Sequence, residues 1–169
     1  PRESIAKVII SSEYEESFEE ELAPLIQEIQ DEFKTVDAGL TITIEKLTTV
    51  PSLVISAEDQ EKLVNAVYAA QNGVYKMSPD FEDLVETSNN IAKVTVASGA
   101  INIQCLTRSS IESSKLDLAQ SLQATFELAD FQVEFSGSYP GWTPDADSEI
   151  LEILKRIYIE QHQEEPEVI

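Results

Sequence analysis

The chain has 169 residues, enough for one domain with a real core, and 42% of them are hydrophobic. It carries 11 Lys+Arg against 32 Asp+Glu, a formal charge of -21. A field of that sign repels phosphate backbones and anionic lipid, which argues against nucleic-acid and membrane-surface roles. A single cysteine excludes an internal disulfide framework, and no apolar run approaches the length of a membrane span. These features fit a cytoplasmic setting.

The opening "PRESIAKVII" starts abruptly at Pro1, as an excised piece of a longer protein would. Residues 5–10, "IAKVII", are apolar and β-branched and predict a strand. Ser12 and Glu15 have the spacing of a capping box for a helix whose apolar face holds Phe18, Leu22, Leu25, Ile26, Ile29 and Phe33. Pro24 should kink that helix or mark where its regular part begins. "LTITIEKL" (40–47) alternates as a strand that Pro51 stops. Ser56 is placed as the N-cap of a second helix, with Leu63, Val64, Val67 and Ala70 inward and Asn72-Gly73 as its end.

Residues 73–80, "GVYKMSPD", read as loop. Two strands follow, about 84–97 and 100–108, joined at Ser98-Gly99 as a hairpin. In the second, Ile101, Ile103 and Cys105 share one face, and Asn102, Gln104, Leu106 and Arg108 the other. A third helix over roughly 113–129 turns Leu118, Ala119, Leu122, Phe126 and Ala129 inward, and "FQVEFSG" (131–137) alternates as a last strand. Ser148 caps a final helix with an apolar stripe of Ile150, Leu151, Leu154, Ile157 and Tyr158. This order predicts an α+β fold: a ferredoxin-like, mainly antiparallel sheet with helices packed on one face.

Metal and nucleophile chemistry is sparse. His162 is the one histidine, and it lies in a polar stretch far from any partner set that would bind a catalytic metal. Cys105 falls mid-strand on an apolar face, which predicts a buried structural thiol. Asp145, Asp147 and Glu149 imitate the start of a calcium loop, but Ile150 and Arg156 stand where that loop needs Gly and Glu. Acidic residues before a helix N-terminus suit the helix dipole instead. Arg108 ends a strand on a polar face, where a guanidinium can grip a carboxylate through two parallel hydrogen bonds or form a plain surface ion pair.

Three segments carry a family resemblance: "LVETSNNIAKVTV" (84–96), "INIQCLTRSSIESS" (101–114) and "GSYPGWTPDADSEI" (137–150). The opening "PRE" and "AVYAAQNGV" (66–74) add to it, in the same order along the chain. Together they resemble the later part of the lid domain in the aminoacyl-histidine (Xaa-His) dipeptidases, zinc-dependent exopeptidases grouped with peptidase T and carnosinase. The resemblance implies a parent metallodipeptidase in which a catalytic domain holds two zinc ions. A lid inserted into that domain closes on the dipeptide and often forms a homodimer contact. It implies that residues 1–144 are lid and that 145–169 begin the return into the catalytic domain. This chain would then bind no zinc and be inactive alone.

Residue by residue, Arg108 in "LTRSS" matches the lid arginine that meets the substrate's terminal carboxylate. Asn90 matches a lid polar residue near the substrate's carbonyl end, with Asn89 offering the same side chain one register step away. Gly137, Tyr139, Pro140, Gly141, Trp142 and Pro144 match the hinge that returns the chain to the catalytic domain, where Trp142 would anchor the corner by burying its ring. A free-standing acidic interaction module with a ferredoxin-like sheet is the competing reading.

Overall fold

The computed structural model describes residues 3–145 and 147–166. They fall into two units, one ending at Val54 and one beginning at Ile55.

In the first unit a 3-10 turn at Ser12–Tyr14 precedes helix α1, Phe18–Phe33. Glu19, Glu20 and Glu21 fill its first turn, where the helix dipole favours negative charge. Ser12 and Glu15 do not form the expected capping box, because Ser12 is spent in the 3-10 turn and Ser17 precedes the helix without a side-chain cap. Helix α1 runs through Pro24, which leaves the Glu20 carbonyl without its usual i+4 donor. An ion pair joins Lys46 to Glu15. Residues 5–10 and 40–47, expected as strands, enter no ladder among the described residues.

The second unit opens with helix α2, Ala57–Ala69, and here the cap is real: Ser56 Oγ accepts from the Asp59 amide at 3.0 Å. Ala66 and Ala70 are buried and Leu63 and Val67 half-buried, whereas Val64 is 57% exposed, against the expectation that it faces inward. The helix ends at Ala69, with Ala70 already extended, ahead of the expected Asn72-Gly73 stop, and Gly73, at φ +90°, starts strand β1, Gly73–Met77. This strand was expected to be loop. Every one of its residues is exposed, so no apolar alternation marks it in the sequence. It is held by main-chain pairing to β2 instead.

Strands β2 (Val85–Ala97) and β3 (Ala100–Ser109) form the expected hairpin. Ser98 and Gly99, at φ +53° and +77°, make the turn, with both central residues left-handed as the natural strand twist requires. The sheet is antiparallel, in the order β1-β2-β3. Helix α3 (Glu112–Leu128) lies across it and buries Leu118, Leu122 and Phe126, as its spacing predicts. Ala66 of α2 and Ala70 just past its end complete the core against α3, and Ile91, Ile103, Phe131 and Val133 pack around it.

The fold is thus α+β, an antiparallel sheet with helices on one face. Lys62 ties α2 to the end of α3, with Nζ 2.8 Å from Glu58 and 2.9 Å from Asp130. Those two carboxylates hold the ammonium above its ordinary pKa. Residues 131–136 form no ladder among the described residues, although Phe131 and Val133 turn inward and Gln132 and Glu134 outward. Helix α4, Glu149–His162, has no buried residue, and Ile150, Leu154, Ile157 and Tyr158 are all exposed.

Candidate functional site

Side chains paired across an antiparallel ladder point to the same side of the sheet, and alternate residues along each strand share that side. Ser88 pairs with Arg108, and Asn90 with Leu106. These four residues therefore occupy one face. Thr87, one step away, faces the other side, because its Oγ1 lies 2.8 Å from Ser114 Oγ at the start of α3. The candidate site is thus the open face of the sheet, away from the helices.

Arg108 and Asn90 are diagonal neighbours on that face, a spacing of about 7–8 Å across adjacent strands. Both are exposed. Arg108 enters no ion pair among the described residues. The surface ion pair weighed for it from the sequence is therefore absent among the described residues.

The opposite side of the same strands is filled by polar groups bonded to one another. Thr87, fully buried, bonds Ser109 Oγ at 2.8 Å as well as Ser114. Asn89 donates from Nδ2 to the Gln71 carbonyl at 2.7 Å and accepts from Thr107 Oγ1 at 3.1 Å. Asn72 Oδ1 accepts from the Ile91 amide at 2.8 Å. The two adjacent asparagines therefore do different work: Asn89 is buried and ties β2 to Thr107 of β3 and to Gln71 ahead of β1, and Asn90 stands on the open face. Glu86, nearly buried, pairs with Lys76 at 3.0 Å, and this ion pair holds its carboxyl below the ordinary range. Sequence reasoning missed the hydroxyl and carboxylate cluster of Glu86, Thr87, Ser109 and Ser114. Its one signal was the density of small hydroxyl residues at 109–114.

The residues that the resemblance matched to a hinge lie against the end of the strand that carries Arg108. Tyr139 offers its carbonyl to Lys115 Nζ at 2.6 Å, and Thr143 Oγ1 reaches the Ser110 carbonyl at 3.3 Å. Gly137 is left-handed, at φ +65°. Gly141 sits so close that an added Cβ would stand 2.4 Å from the Ser109 carbonyl oxygen. Gly141→Ala should therefore push residues 139–143 off the β3–α3 turn, at an overpacking cost of about 1–3 kcal/mol. Urea melts of the variant check this, and an unchanged midpoint would mean the hinge is not seated there.

Two expectations are corrected at this end of the molecule. Trp142 is 87% exposed and anchors nothing within the described residues, and Pro144 is only half-buried. The turn is held by Gly141 and main-chain carbonyls instead of by a buried ring. Cys105 is exposed, since β3 is an edge strand and its thiol opens onto a groove beside that edge. Partial burial nevertheless raises its pKa, with a hydrogen bond from Asn89 pulling the other way. Asp145 spends a carboxylate oxygen on the Asp147 amide at 3.0 Å, an ordinary turn before α4.

Among the described residues no group of three or more His, Cys, Asp or Glu is placed to hold a metal. His162 stacks on Tyr158 with ring centroids 4.4 Å apart. None of the helices described is long and apolar enough to cross a membrane.

No protein-family model matches the chain. It is 27% identical over 158 residues to the cytosol non-specific dipeptidase of Escherichia coli (strain K12), a match covering 94% of this chain and 32% of that protein. The crystal structure of aminoacylhistidine dipeptidase from Vibrio alginolyticus superposes with a TM-score of 0.85 at 32% identity, covering 95% of this chain and 32% of that one. The chain spans about a third of the length of each of these proteins. The resemblance read from "VETS", "TRSS" and "YPGW" agrees with both matches.

Proposed function

From the relationship to these dipeptidases over nearly all of its length, we propose that the chain is the lid of a zinc-dependent dipeptidase that hydrolyses Xaa-His or related dipeptides. Its open sheet face covers the substrate. Arg108 grips the terminal carboxylate through its planar fork, and Asn90 donates or accepts near the carbonyl end. The observation that carries this reading is the placement of Arg108: exposed, without an ion pair among the described residues, on the same face as Asn90 and at the strand end where the hinge is seated.

In this reading the metal and its water belong to a catalytic domain supplied by the rest of the protein, and none of the described residues is assigned to hold it. In this reading residues 1–144 are lid and 145–169 begin the return to that domain. The partners are the catalytic domain, the dipeptide and a second copy, and the setting is cytoplasmic.

The test is hydrolysis of Xaa-His and other dipeptides, with and without a zinc chelator, by the polypeptide that the gene encodes and by this chain alone. Chelator-sensitive hydrolysis by the longer protein and none by this chain is expected. An inactive longer protein, or zinc-dependent cleavage by this chain, would overturn the reading.

The boundary has its own check. Every residue of the buried cluster precedes residue 144, and the apolar side chains of α4 are exposed. A chain ended at Pro144 should keep a cooperative melt with a similar Tm. It should also self-associate less in sedimentation velocity, because an exposed apolar stripe seeks another surface. Loss of the cooperative melt would make α4 integral to the unit.

A further inference from the structure

We propose that the groove beside β3 receives a β-strand from a part of the polypeptide outside these 169 residues, which makes β3 an interior strand of the assembled protein. The groove holds about 820 Å³. One wall is the outer edge of β3, which stands last in the order β1-β2-β3. Every second residue of such an edge turns its N–H and C=O away from the sheet, here into the groove. The other wall is the segment from Phe131 to Tyr139, whose first four side chains alternate inward and outward as a strand's do while its first six residues join no ladder. Leu122 and Phe126 of α3 contribute to the lining between the walls. Two unpaired main chains with an apolar floor fit one kind of occupant, a segment that bonds to both and drops alternate apolar side chains onto α3.

The composition of the edge gives the second argument. Exposed edge strands are normally guarded by charge or proline. Residues 100–107, "AINIQCLT", contain neither, in a chain where 25% of residues are charged. An unguarded edge in so charged a chain is one that is covered in use. The ionisable groups around the groove balance, with Glu86 and Glu134 against Arg108 and Lys115. The occupant is therefore selected by main-chain pairing and apolar contact, and a strongly charged peptide gains nothing there.

This inference rests on the reading of the chain as part of a longer dipeptidase. The relatives matched supply the source, since the chain covers only 32% of each.

Cys105, the chain's sole cysteine, lines the groove and reports on it. Alkylation of Cys105 by iodoacetamide and amide exchange would both be followed by mass spectrometry, in this chain and in the longer protein. In this chain Cys105 should react readily, and amides of residues 100–107 and 131–135 that face the groove should exchange fast. In the longer protein alkylation should slow by at least about a hundredfold, and both sets of amides should become protected together.

Equal reactivity in the two proteins overturns the proposal. So does slowed alkylation without amide protection, which means side chains cover the groove without a ladder. Protection that rises with the concentration of this chain alone assigns the groove to a second copy, and a gene encoding only these residues removes the source. Dipeptidase activity is assayed on the same sample. A protected groove in an inactive protein defeats the dipeptidase reading alone, and an open groove in an active one defeats the strand alone.

Discussion

Arg108→Ala in the longer protein is expected to lower kcat/KM for a dipeptide by roughly ten- to a hundredfold. In the proposed lid role, the loss corresponds to about 1.5–3 kcal/mol of charge-assisted hydrogen bonding made on closure. Arg108→Lys should recover only part of it, because an ammonium keeps the charge and lacks the planar fork. Thermal melts of both variants should overlay the wild type, since Arg108 is exposed and enters no ion pair among the described residues. Steady-state kinetics with a dipeptide and with its C-terminal amide separate the roles. The wild type should discriminate against the amide, and Arg108→Ala should not. Unchanged kcat/KM would reduce Arg108 to a surface cation.

Leu118→Ala should have the largest effect on stability. Leu118 is fully buried at the centre of the cluster that joins α2, α3 and the sheet. Truncation there leaves a cavity that rigid neighbours close only in part, which costs about 2–5 kcal/mol. Leu116, two residues earlier on the same helix, is 50% exposed, and its alanine variant should stay within about 0.5 kcal/mol. Chemical denaturation of the pair measures the contrast. Equal losses would mean that α3 presents a different face to the sheet.

That contrast was legible in the sequence, because a 3.6-residue period separates Leu118, Leu122 and Phe126 from their neighbours. The Ser98-Gly99 turn was legible too, since few residue pairs accept two left-handed conformations in succession. Strands were harder. Alternation at 40–47 and 131–136 reports which side chains share a face and says nothing of whether another main chain lies alongside. Strand β1 gave the reverse error, being paired along its backbone while exposed at every side chain. Val64 failed because the inward stripe of α2 runs through Leu63, Ala66 and Val67 on to Ala70, and Val64 stands to its side.

In the candidate site, Arg108 and Asn90 come to one face because the register set at the hairpin turn is shifted by one residue between Ile91 and Lys93; in the unshifted register Arg108 would stand opposite Asn89. Asn89 and Asn90 are identical to any composition argument, and only the pleat separates a buried tether from an exposed contact. Trp142 was assigned a buried corner because large aromatic rings usually find one; here the carbonyls of Ser109 and Ser110 leave room at the turn only for glycine. Cys105 was misjudged for a related reason, since an apolar face is buried only where the next strand is present.

The Ser98-Gly99 turn also bears on kinetics. Strands β2 and β3 and helix α3 occupy the continuous stretch from Val85 to Leu128, with only residues 110–111 between strand and helix. Contacts made between near neighbours in sequence lose little chain entropy on closing, so they form early and fast. A hairpin seeded at such a turn closes in about 1–10 μs. The ribosome delivers about 5–20 residues per second. Once the end of α3 has left the exit tunnel, this part of the sheet is therefore folded before the next residue is added. The face that carries Arg108 and Asn90 is in place while the chain is still being made.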